Sequence, residues 1–310
     1  MKKNINFFLQ LFLLFIFFDF SYARDLSFSE INAGKNNVTL NVVQSGTSSQ
    51  GGFLFIHGNG QNYYSWIKQL NSNLNKKYHL ASFDLRGHGN SGKPNSIHDY
   101  NKACVWAEDI RSVMLETNLR KPILVGWSFG GLIIMHYINC FGVDEISGIV
   151  LVSSRSRLVN LSTLPNPHAI ESQIFLREKE FKKRKRGAEI FTRLLTYHPL
   201  ENKTYNILKL SSLMVPPYVR EFIATPILDY NSEVISSYSF LIPKIKVPLT
   251  VIVGGKDSIR DTKGLIKAFR RDFPRAEIIK YDDIGHSPHL EDPSRFNGDL
   301  IRIAKKISFN

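Results

Sequence analysis

Short runs of apolar, β-forming residues alternate along this chain with longer stretches of helical pattern. The strand-type runs cover 38–45, 53–56, 78–85, 122–125, 146–154, 248–255 and 276–284. The helical stretches cover 66–74, 102–117, a run that opens at 132, 262–271 and 294–307. The first strand-type run alternates apolar and polar residues, which predicts an edge or half-buried strand. Strands that alternate with helices predict an α/β fold: a mostly parallel sheet covered by helices on both faces.

The alternation is interrupted between about 154 and 246, where the pattern is mostly helical and loop-like and contains seven prolines. A structureless loop of that length is implausible in a compact domain, so this segment should fold as a helical insertion. It follows a strand at the carboxyl edge of the sheet, which places it above that edge as a cap. We therefore divide the chain into a core of 24–153 and 247–310 with a cap of 154–246.

The first 23 residues differ in composition from the rest. Lys2 and Lys3 precede an apolar run of 12 residues at 7–18, and Ser21 and Ala23 place small residues at a cleavage position. A membrane-spanning helix needs about 20 apolar residues. The pattern is therefore typical of a secretory signal peptide over 1–23, with Arg24 as the mature start and export to the periplasm or medium. The alternative is an uncleaved N-terminal membrane anchor.

Cys104 and Cys140 are the only cysteines of the chain. An exported protein can pair them in one disulfide, and two buried free thiols are the alternative. No Cys-x-x-Cys motif or histidine cluster indicates a metal site, and we expect none.

The chain is strongly basic, with a formal net charge of +13. The cap alone holds 15 Lys and Arg against 8 Asp and Glu, and its basic maximum is "REKEFKKRKRG" at 177–187. Such an excess favours anionic partners. An acidic protein or an anionic lipid surface would suit the cap, and a simply solvated basic face is the plainer interpretation. We expect no nucleic-acid partner.

The stretch "GWSFGG" at 126–131 lies between the apolar run at 122–125 and a helical run. Gly126 and Gly130 lack a Cβ atom, so the backbone can turn sharply around Ser128. This is the G-x-S-x-G pattern of a nucleophile elbow, which presents a serine hydroxyl above the carboxyl edge of a sheet.

A serine nucleophile needs a base to take its proton and an acid to orient that base. In a fold of this order, both partners follow the serine, each in a loop after a later strand. Asp257 in "VIVGGKDS" and His286 in "YDDIGHSPHLEDP" occupy those two loops. His289 competes for the role of base and Asp261 for the role of acid, but both are better placed to begin helices. His57, His88 and His136 are interpreted as structural.

The tetrahedral intermediate of acyl transfer carries an oxyanion that needs backbone donors. The N–H of Phe129, directly after the nucleophile, should supply one. The loop "HGNG" at 57–60 should supply the other, with the Asn59 N–H best placed between two glycines.

These motifs resemble, in order, the landmarks of the α/β-hydrolase family over nearly all of the mature chain: "HGNG", "FDLRGHGNSG", "GWSFGG", "GGKD" and "GHSPHLEDP". The resemblance implies that Asp84, Arg86 and Gly87 form a structural turn. Epoxide hydrolases and haloalkane dehalogenases of this fold use an aspartate nucleophile, so Ser128 argues against both. Carbon–carbon bond hydrolases often carry an aromatic residue after the base histidine, where Ser287 stands here.

The elbow and the chain length are similar to those of carboxylesterases, including the pimeloyl-carrier-protein methyl ester carboxylesterase type. The resemblance implies a serine esterase that needs no cofactor and acts on a small-molecule or acyl ester. A carbon–carbon bond hydrolase or an acyltransferase could use the same triad. A non-enzymatic ligand-binding protein on this scaffold is the remaining alternative.

Overall fold

The computed structural model describes residues 26–47, 51–155, 166–225, 241 and 243–307. The predicted signal peptide at 1–23 lies outside the described residues. Eight strands form one sheet in the order β1-β2-β4-β3-β5-β6-β7-β8. Their bounds are β1 Ser27–Ala33, β2 Val38–Ser45, β3 Gly52–Ile56, β4 His79–Phe83, β5 Ile123–Trp127, β6 Gly148–Val152, β7 Leu249–Gly254 and β8 Glu277–Tyr281.

All neighbouring pairs from β4 to β8 in the sheet are parallel, whereas β1 pairs with β2 and β2 with β4 in antiparallel register. The α/β fold with a mostly parallel sheet is therefore confirmed. β2 is flanked on both sides and largely buried, so it is not the edge strand. The edge strand beside β2 is β1, which the sequence pattern did not predict because its residues "SFSEINA" are mostly exposed and contain no apolar run.

Helices cover both faces of the sheet, and four of them fall in the segment that the sequence predicts as a cap. Their bounds are α1 Ile67–Leu70, α2 Ala103–Glu116, α3 Phe129–Phe141, α4 Pro167–Arg177, α5 Phe181–Leu194, α6 Asn202–Met214, α7 Pro217–Ala224, α8 Thr262–Asp272, α9 Pro288–Glu291 and α10 Pro293–Lys306.

The prediction of a single helix at 66–74 is wrong. Instead, two 3₁₀ turns flank the short α1, since the side chains of Asn62 and Ser72 accept local N–H groups and begin a new turn each time.

The core consists of one apolar layer on each side of the sheet. In β3, Leu54 and Ile56 join one cluster of buried side chains, while Phe53 and Phe55 join the other. Successive residues of a strand point to opposite faces. A continuous apolar run therefore corresponds to a strand buried on both sides, as parallel strands usually are.

Cys104 in α2 and Cys140 in α3 form a disulfide bond. This settles the alternative that the sequence left open. The bond joins two helices that pack on the same side of the sheet.

Helices α4 to α7 lie between β6 and β7 in the chain, within the segment predicted as the cap. The basic run forms the first part of α5, where Lys182, Lys183, Lys185 and Arg186 are exposed. Two of these pair with neighbouring acids, Lys183 with Glu178 and Arg186 with Glu171. Within the described residues, no helix combines the length and apolar character that crossing a membrane requires.

Candidate active site

Ser128 lies in the one-residue turn between β5, which ends at Trp127, and α3, which begins at Phe129. Its backbone has φ +52° and ψ −110°, a conformation that costs a residue with a side chain about 1–3 kcal/mol. Two hydrogen bonds hold it: the Ser128 N–H donates to the Val152 carbonyl at 2.8 Å, and Ser154 Oγ donates to the Ser128 carbonyl at 2.9 Å. Such strain persists only where the surrounding structure enforces it.

The two glycines of the elbow are required by close backbone approach. A Cβ atom on Gly126 would stand 2.6 Å from the carbonyl carbon of Gly130, and one on Gly130 would overlap the carbonyl oxygen of Ile56. Since both contacts are with backbone, no side-chain movement could relieve them. The left-handed φ falls on the serine itself and not on these glycines.

Asp257 follows β7 and His286 follows β8, and the structure brings their side chains together. The distance from His286 Nδ1 to Asp257 Oδ2 is 2.7 Å, with both side chains almost fully buried. The other oxygen, Oδ1, accepts the N–H groups of Ile259 at 2.8 Å and Arg260 at 3.0 Å. With Nδ1 donating to a carboxylate, Nε2 of the neutral ring is left as an acceptor.

Two residues that the sequence did not single out hold the histidine loop. Trp127 Nε1 donates to the His286 carbonyl at 2.9 Å. The Glu291 carboxylate accepts the N–H of Gly285 at 2.8 Å and those of Tyr197 and His198, which lie between α5 and α6 of the cap, at 2.9 and 3.0 Å. Burial raises the pKa of Glu291, and these three hydrogen bonds act in the opposite direction. Glu291 thus joins the cap to the loop that carries His286.

Ser128, His286 and Asn59 line one cavity of about 350 Å³ between the sheet edge and the cap. Most of its wall is apolar, with Ile170 and Ile174 of α4 among the lining residues. The remaining lining side chains include three arginines, Arg155, Arg177 and Arg260.

Of the two residues predicted to donate to the oxyanion, Asn59 lines the cavity and Phe129 directly follows Ser128 in the chain. Phe129 is the first residue of α3, so its N–H has no acceptor within the helix. Among the described residues, the Asn59 N–H donates to no backbone carbonyl, whereas the Gln61 N–H two residues on donates to the Gly58 carbonyl at 3.2 Å. The role of these two amides as an oxyanion hole stays a prediction.

The rival residues have structural surroundings. The buried His289 ring stacks against Trp66 and Trp127 at centroid distances of 4.2 and 4.8 Å, and burial, reinforced by the charge of His286, lowers its pKa well below the usual value. Asp261 caps α8 by accepting the Lys263 N–H at 3.1 Å. Neither residue lines the cavity.

His57, His88 and His136, which the sequence analysis interprets as structural, are buried and do not line the cavity. Burial lowers the pKa of His57 to about 4 and that of His136 to about 3, and it also lowers the pKa of His88. The His57 Nε2 accepts the Leu85 N–H at 2.9 Å, as a neutral structural ring would. In the part of the chain that the structure describes, no group of three or more His, Cys, Asp or Glu residues could hold a metal ion.

Comparison with known proteins identifies the fold that carries this site. Residues 52–293 match the family model described as alpha/beta hydrolase fold. The structure is similar to that of a candidate aryl esterase from Burkholderia cenocepacia, with a TM-score of 0.81, 29% identity and coverage of 90% of this chain and 100% of that one.

Two curated proteins show the breadth of the similarity. The AB hydrolase superfamily protein YisY of Bacillus subtilis is 23% identical over 278 residues, which span 87% of this chain and 97% of that protein. A candidate non-heme chloroperoxidase from Synechocystis sp. is 28% identical over 141 residues, which span 46% of this chain and half of that protein. Since the family model matches most of the chain, from β3 to the start of α10, this protein belongs to the α/β-hydrolase family.

Proposed function

We propose that this protein is a serine hydrolase that cleaves carboxylic esters. The observation that carries the proposal is the 2.7 Å hydrogen bond between Asp257 and His286 at a cavity that Ser128 also lines. A buried carboxylate that orients a histidine beside a serine on a strained turn is the arrangement that activates a serine hydroxyl.

In the acylation half of the reaction, Ser128 Oγ attacks the ester carbonyl carbon while His286 Nε2 takes its proton. Asp257 stabilises the imidazolium that forms. The carbonyl oxygen becomes an oxyanion, to which the N–H groups of Asn59 and Phe129 donate. Collapse of the intermediate breaks the bond to the alcohol oxygen, which receives the proton from His286, and leaves an acyl group on Ser128.

In the second half, water replaces the alcohol. His286 takes a proton from the water as its oxygen attacks the acyl carbon, and a second tetrahedral intermediate forms. Its collapse returns the proton to Ser128 Oγ and releases the carboxylic acid. The cycle consumes one ester and one water and produces one acid and one alcohol.

The similarity to the candidate aryl esterase supports an ester as substrate, since it extends over the whole of that protein. The Synechocystis relative is named for a different activity, that of a chloroperoxidase. The alignment with it covers only half of that protein. An ester is therefore the substrate class to test before any other.

The test is turnover of p-nitrophenyl esters from acetate to palmitate by the purified protein and its Ser128→Ala variant. We expect Ser128→Ala to reduce kcat by about 10⁵- to 10⁶-fold, because the nucleophile is lost. Ser147→Ala is the matched control: Ser147 is also buried, but it precedes β6 at the opposite end of the sheet, so turnover should persist. Ester turnover that survives in Ser128→Ala would overturn the proposal.

The same assay separates the alternative reactions of this triad. Added alcohol that diverts the product from free acid to a new ester would identify an acyltransferase. Turnover of a vinylogous diketone in the absence of ester turnover would identify a carbon–carbon bond hydrolase.

We also propose that the protein is exported. The pattern of residues 1–23 supports this, and so does the Cys104–Cys140 disulfide, since such bonds persist mainly in oxidising compartments. N-terminal sequencing of the protein from cell fractions provides the test. A mature chain that begins at Arg24 outside the cytoplasm agrees with export, and an intact cytoplasmic chain contradicts it.

A further inference from the structure

Three arginines reach the cavity of Ser128 from three different elements. Arg155 follows β6, Arg177 ends the cap helix α4, and Arg260 follows the loop of Asp257. The positive charge is therefore supplied from the core and the cap together. Ester hydrolysis by the mechanism above uses none of the three guanidinium groups.

Two of these guanidinium groups lack a counter-charge within the described residues. The Nε atoms of Arg177 and Arg260 are buried and have no hydrogen-bond acceptor there, and neither guanidinium forms an ion pair with a described carboxylate at a nitrogen-to-oxygen distance of 4.0 Å or less. Asp257 is close in sequence to Arg260, but its oxygens already accept His286 Nδ1 and two backbone N–H groups. A desolvated guanidinium in this state is costly unless a ligand supplies the acceptor.

The electrostatics of the cavity agree with this geometry. Burial, followed by the positive charge of Arg155, lowers the pKa of Arg260 to about 9, while Asp257 acts in the opposite direction. Burial and then the charge of Arg177 lower the pKa of Arg220, behind the Gly60 loop, to about 9 as well. With a pKa of about 9, Arg260 stays charged at neutral pH, so it gives the cavity a positive potential.

We infer that the cavity binds an ester that also carries a carboxylate: the half-ester of a short dicarboxylic acid. This inference rests on the proposed esterase function and names its substrate class. Guanidinium groups bind carboxylates through paired N–H donors in a fixed geometry. Phosphate monoanions and dianions share that chemistry, and the experiment below distinguishes them.

The rest of the cavity limits the size of the substrate. Its volume of about 350 Å³ lies near the lower end of the range for small-molecule sites. The apolar side chains of Ile170, Ile174 and Phe191 can contact the methylene groups between the ester and the carboxylate. The methylene groups of a short dicarboxylic chain can pack against the apolar wall, and its free carboxylate can accept hydrogen bonds from Arg177 and Arg260.

The test compares two p-nitrophenyl esters of equal length and shape, the adipic acid half-ester with its free carboxylate and the adipamic acid ester with a neutral amide. We expect kcat/KM to be about 10- to 100-fold higher for the carboxylate, which is what hydrogen bonds to a charged group typically contribute. The p-nitrophenyl ester of 5-phosphonopentanoic acid, which has the same four methylene groups, is the third substrate. Higher kcat/KM for the phosphonate than for the carboxylate would overturn the choice of carboxylate in favour of a phosphate-type anion.

Variants then assign the preference to the cavity. In Arg177→Gln and Arg260→Gln, the ratio of kcat/KM between the adipic and adipamic esters should fall towards one, mainly through KM of the adipic ester. Arg193→Gln is the matched control, since it makes the same change on the exposed side of α5, and it should leave the ratio unchanged. Equal rates on the two esters in the unmodified protein, or a ratio that Arg177→Gln and Arg260→Gln leave intact, would overturn the inference.

The two proposals can fail separately. Serine-dependent turnover of both esters without a preference overturns the carboxylate site and keeps the esterase. If neither ester is turned over, calorimetric titration of the protein with adipate and with neutral adipamide still tests the cavity. Binding of adipate alone, lost in Arg260→Gln, would support the anion site without an esterase, and equal or absent binding of the two would overturn it.

Discussion

Arg86 and Arg260 hold buried guanidinium nitrogens in different regions of this protein, and their surroundings are opposite: Arg86 is paired with a carboxylate and Arg260 is not. In the turn after β4, the Arg86 side chain is 1% exposed and donates Nε and Nη2 to the two oxygens of Asp109, each at 2.7 Å. Its Nη1 donates to the Asp99 carbonyl at 3.0 Å. In the cavity, Arg260 has a buried Nε without an acceptor among the described residues.

The difference follows from what each region must do. The Arg86 turn belongs to the core, where nothing from outside can reach the guanidinium, so the chain itself has to supply the opposing charge. Arg177 and Arg260 face a cavity that a substrate can enter. We interpret a paired buried charge here as structural and an unpaired one at the cavity as directed towards a ligand.

The largest effect on stability should come from breaking the paired charge. Asp109→Asn leaves Arg86 buried beside a neutral amide, so the free energy of unfolding should fall by about 3–5 kcal/mol. Urea denaturation measures it. The control Asp282→Asn removes the partner of Lys280 in a solvent-exposed pair and should leave the free energy of unfolding nearly unchanged. Equal losses in the two variants would show that the core pair contributes nothing beyond a surface one.

An intermediate effect on stability should come from lowering the pH, because His57 is buried in the core as a neutral ring. Burial lowers the folded-state pKa of His57 to about 4, below the ordinary value of 6.5, so between these two pH values the unfolded chain binds one proton more than the folded chain. The stability that this ring contributes is complete above about pH 6.5 and is lost as the pH falls towards 4, by at most about 3 kcal/mol. Thermal unfolding from pH 7 to 4 measures it.

His57→Gln tests whether this ring is responsible. The variant should be less stable at pH 7, since the acceptor of the Leu85 N–H is changed, and its stability should depend less on pH below 6.5. A pH dependence equal to that of the unmodified protein would assign the acid sensitivity to other buried groups.

The smallest effect on stability should come from the cavity. Arg260→Met removes a buried guanidinium that has no carboxylate partner among the described residues, so the free energy of unfolding should not fall and should rise by no more than about 1 kcal/mol. Arg86→Met should instead lower the free energy of unfolding, because it leaves Asp109 buried and unpaired. Similar losses for Arg260→Met and Arg86→Met would contradict the distinction between structural and ligand-directed arginines.

Much of the fold and of the candidate site follows from local sequence. The apolar runs predict the parallel strands because burial on both faces demands uninterrupted hydrophobicity. Ser128, Asp257 and His286 could be proposed because each follows directly after such a run, and the carboxyl ends of parallel strands meet at one edge. The strand β1 escaped prediction, since it is stabilised by backbone pairing with β2 rather than by an apolar pattern.

The sequence by itself thus determined the α/β class, the elbow and the positions of the three proposed catalytic residues. These depend on the period of the apolar residues, the spacing of the glycines and the order of the motifs along the chain. Only the tertiary structure decided that Cys104 pairs with Cys140, that Glu291 joins the cap to the histidine loop, and which arginines face Ser128. The identity of a residue shows that it is charged or reactive. Its partner depends on which distant segments the fold brings into contact, and no local pattern contains that information.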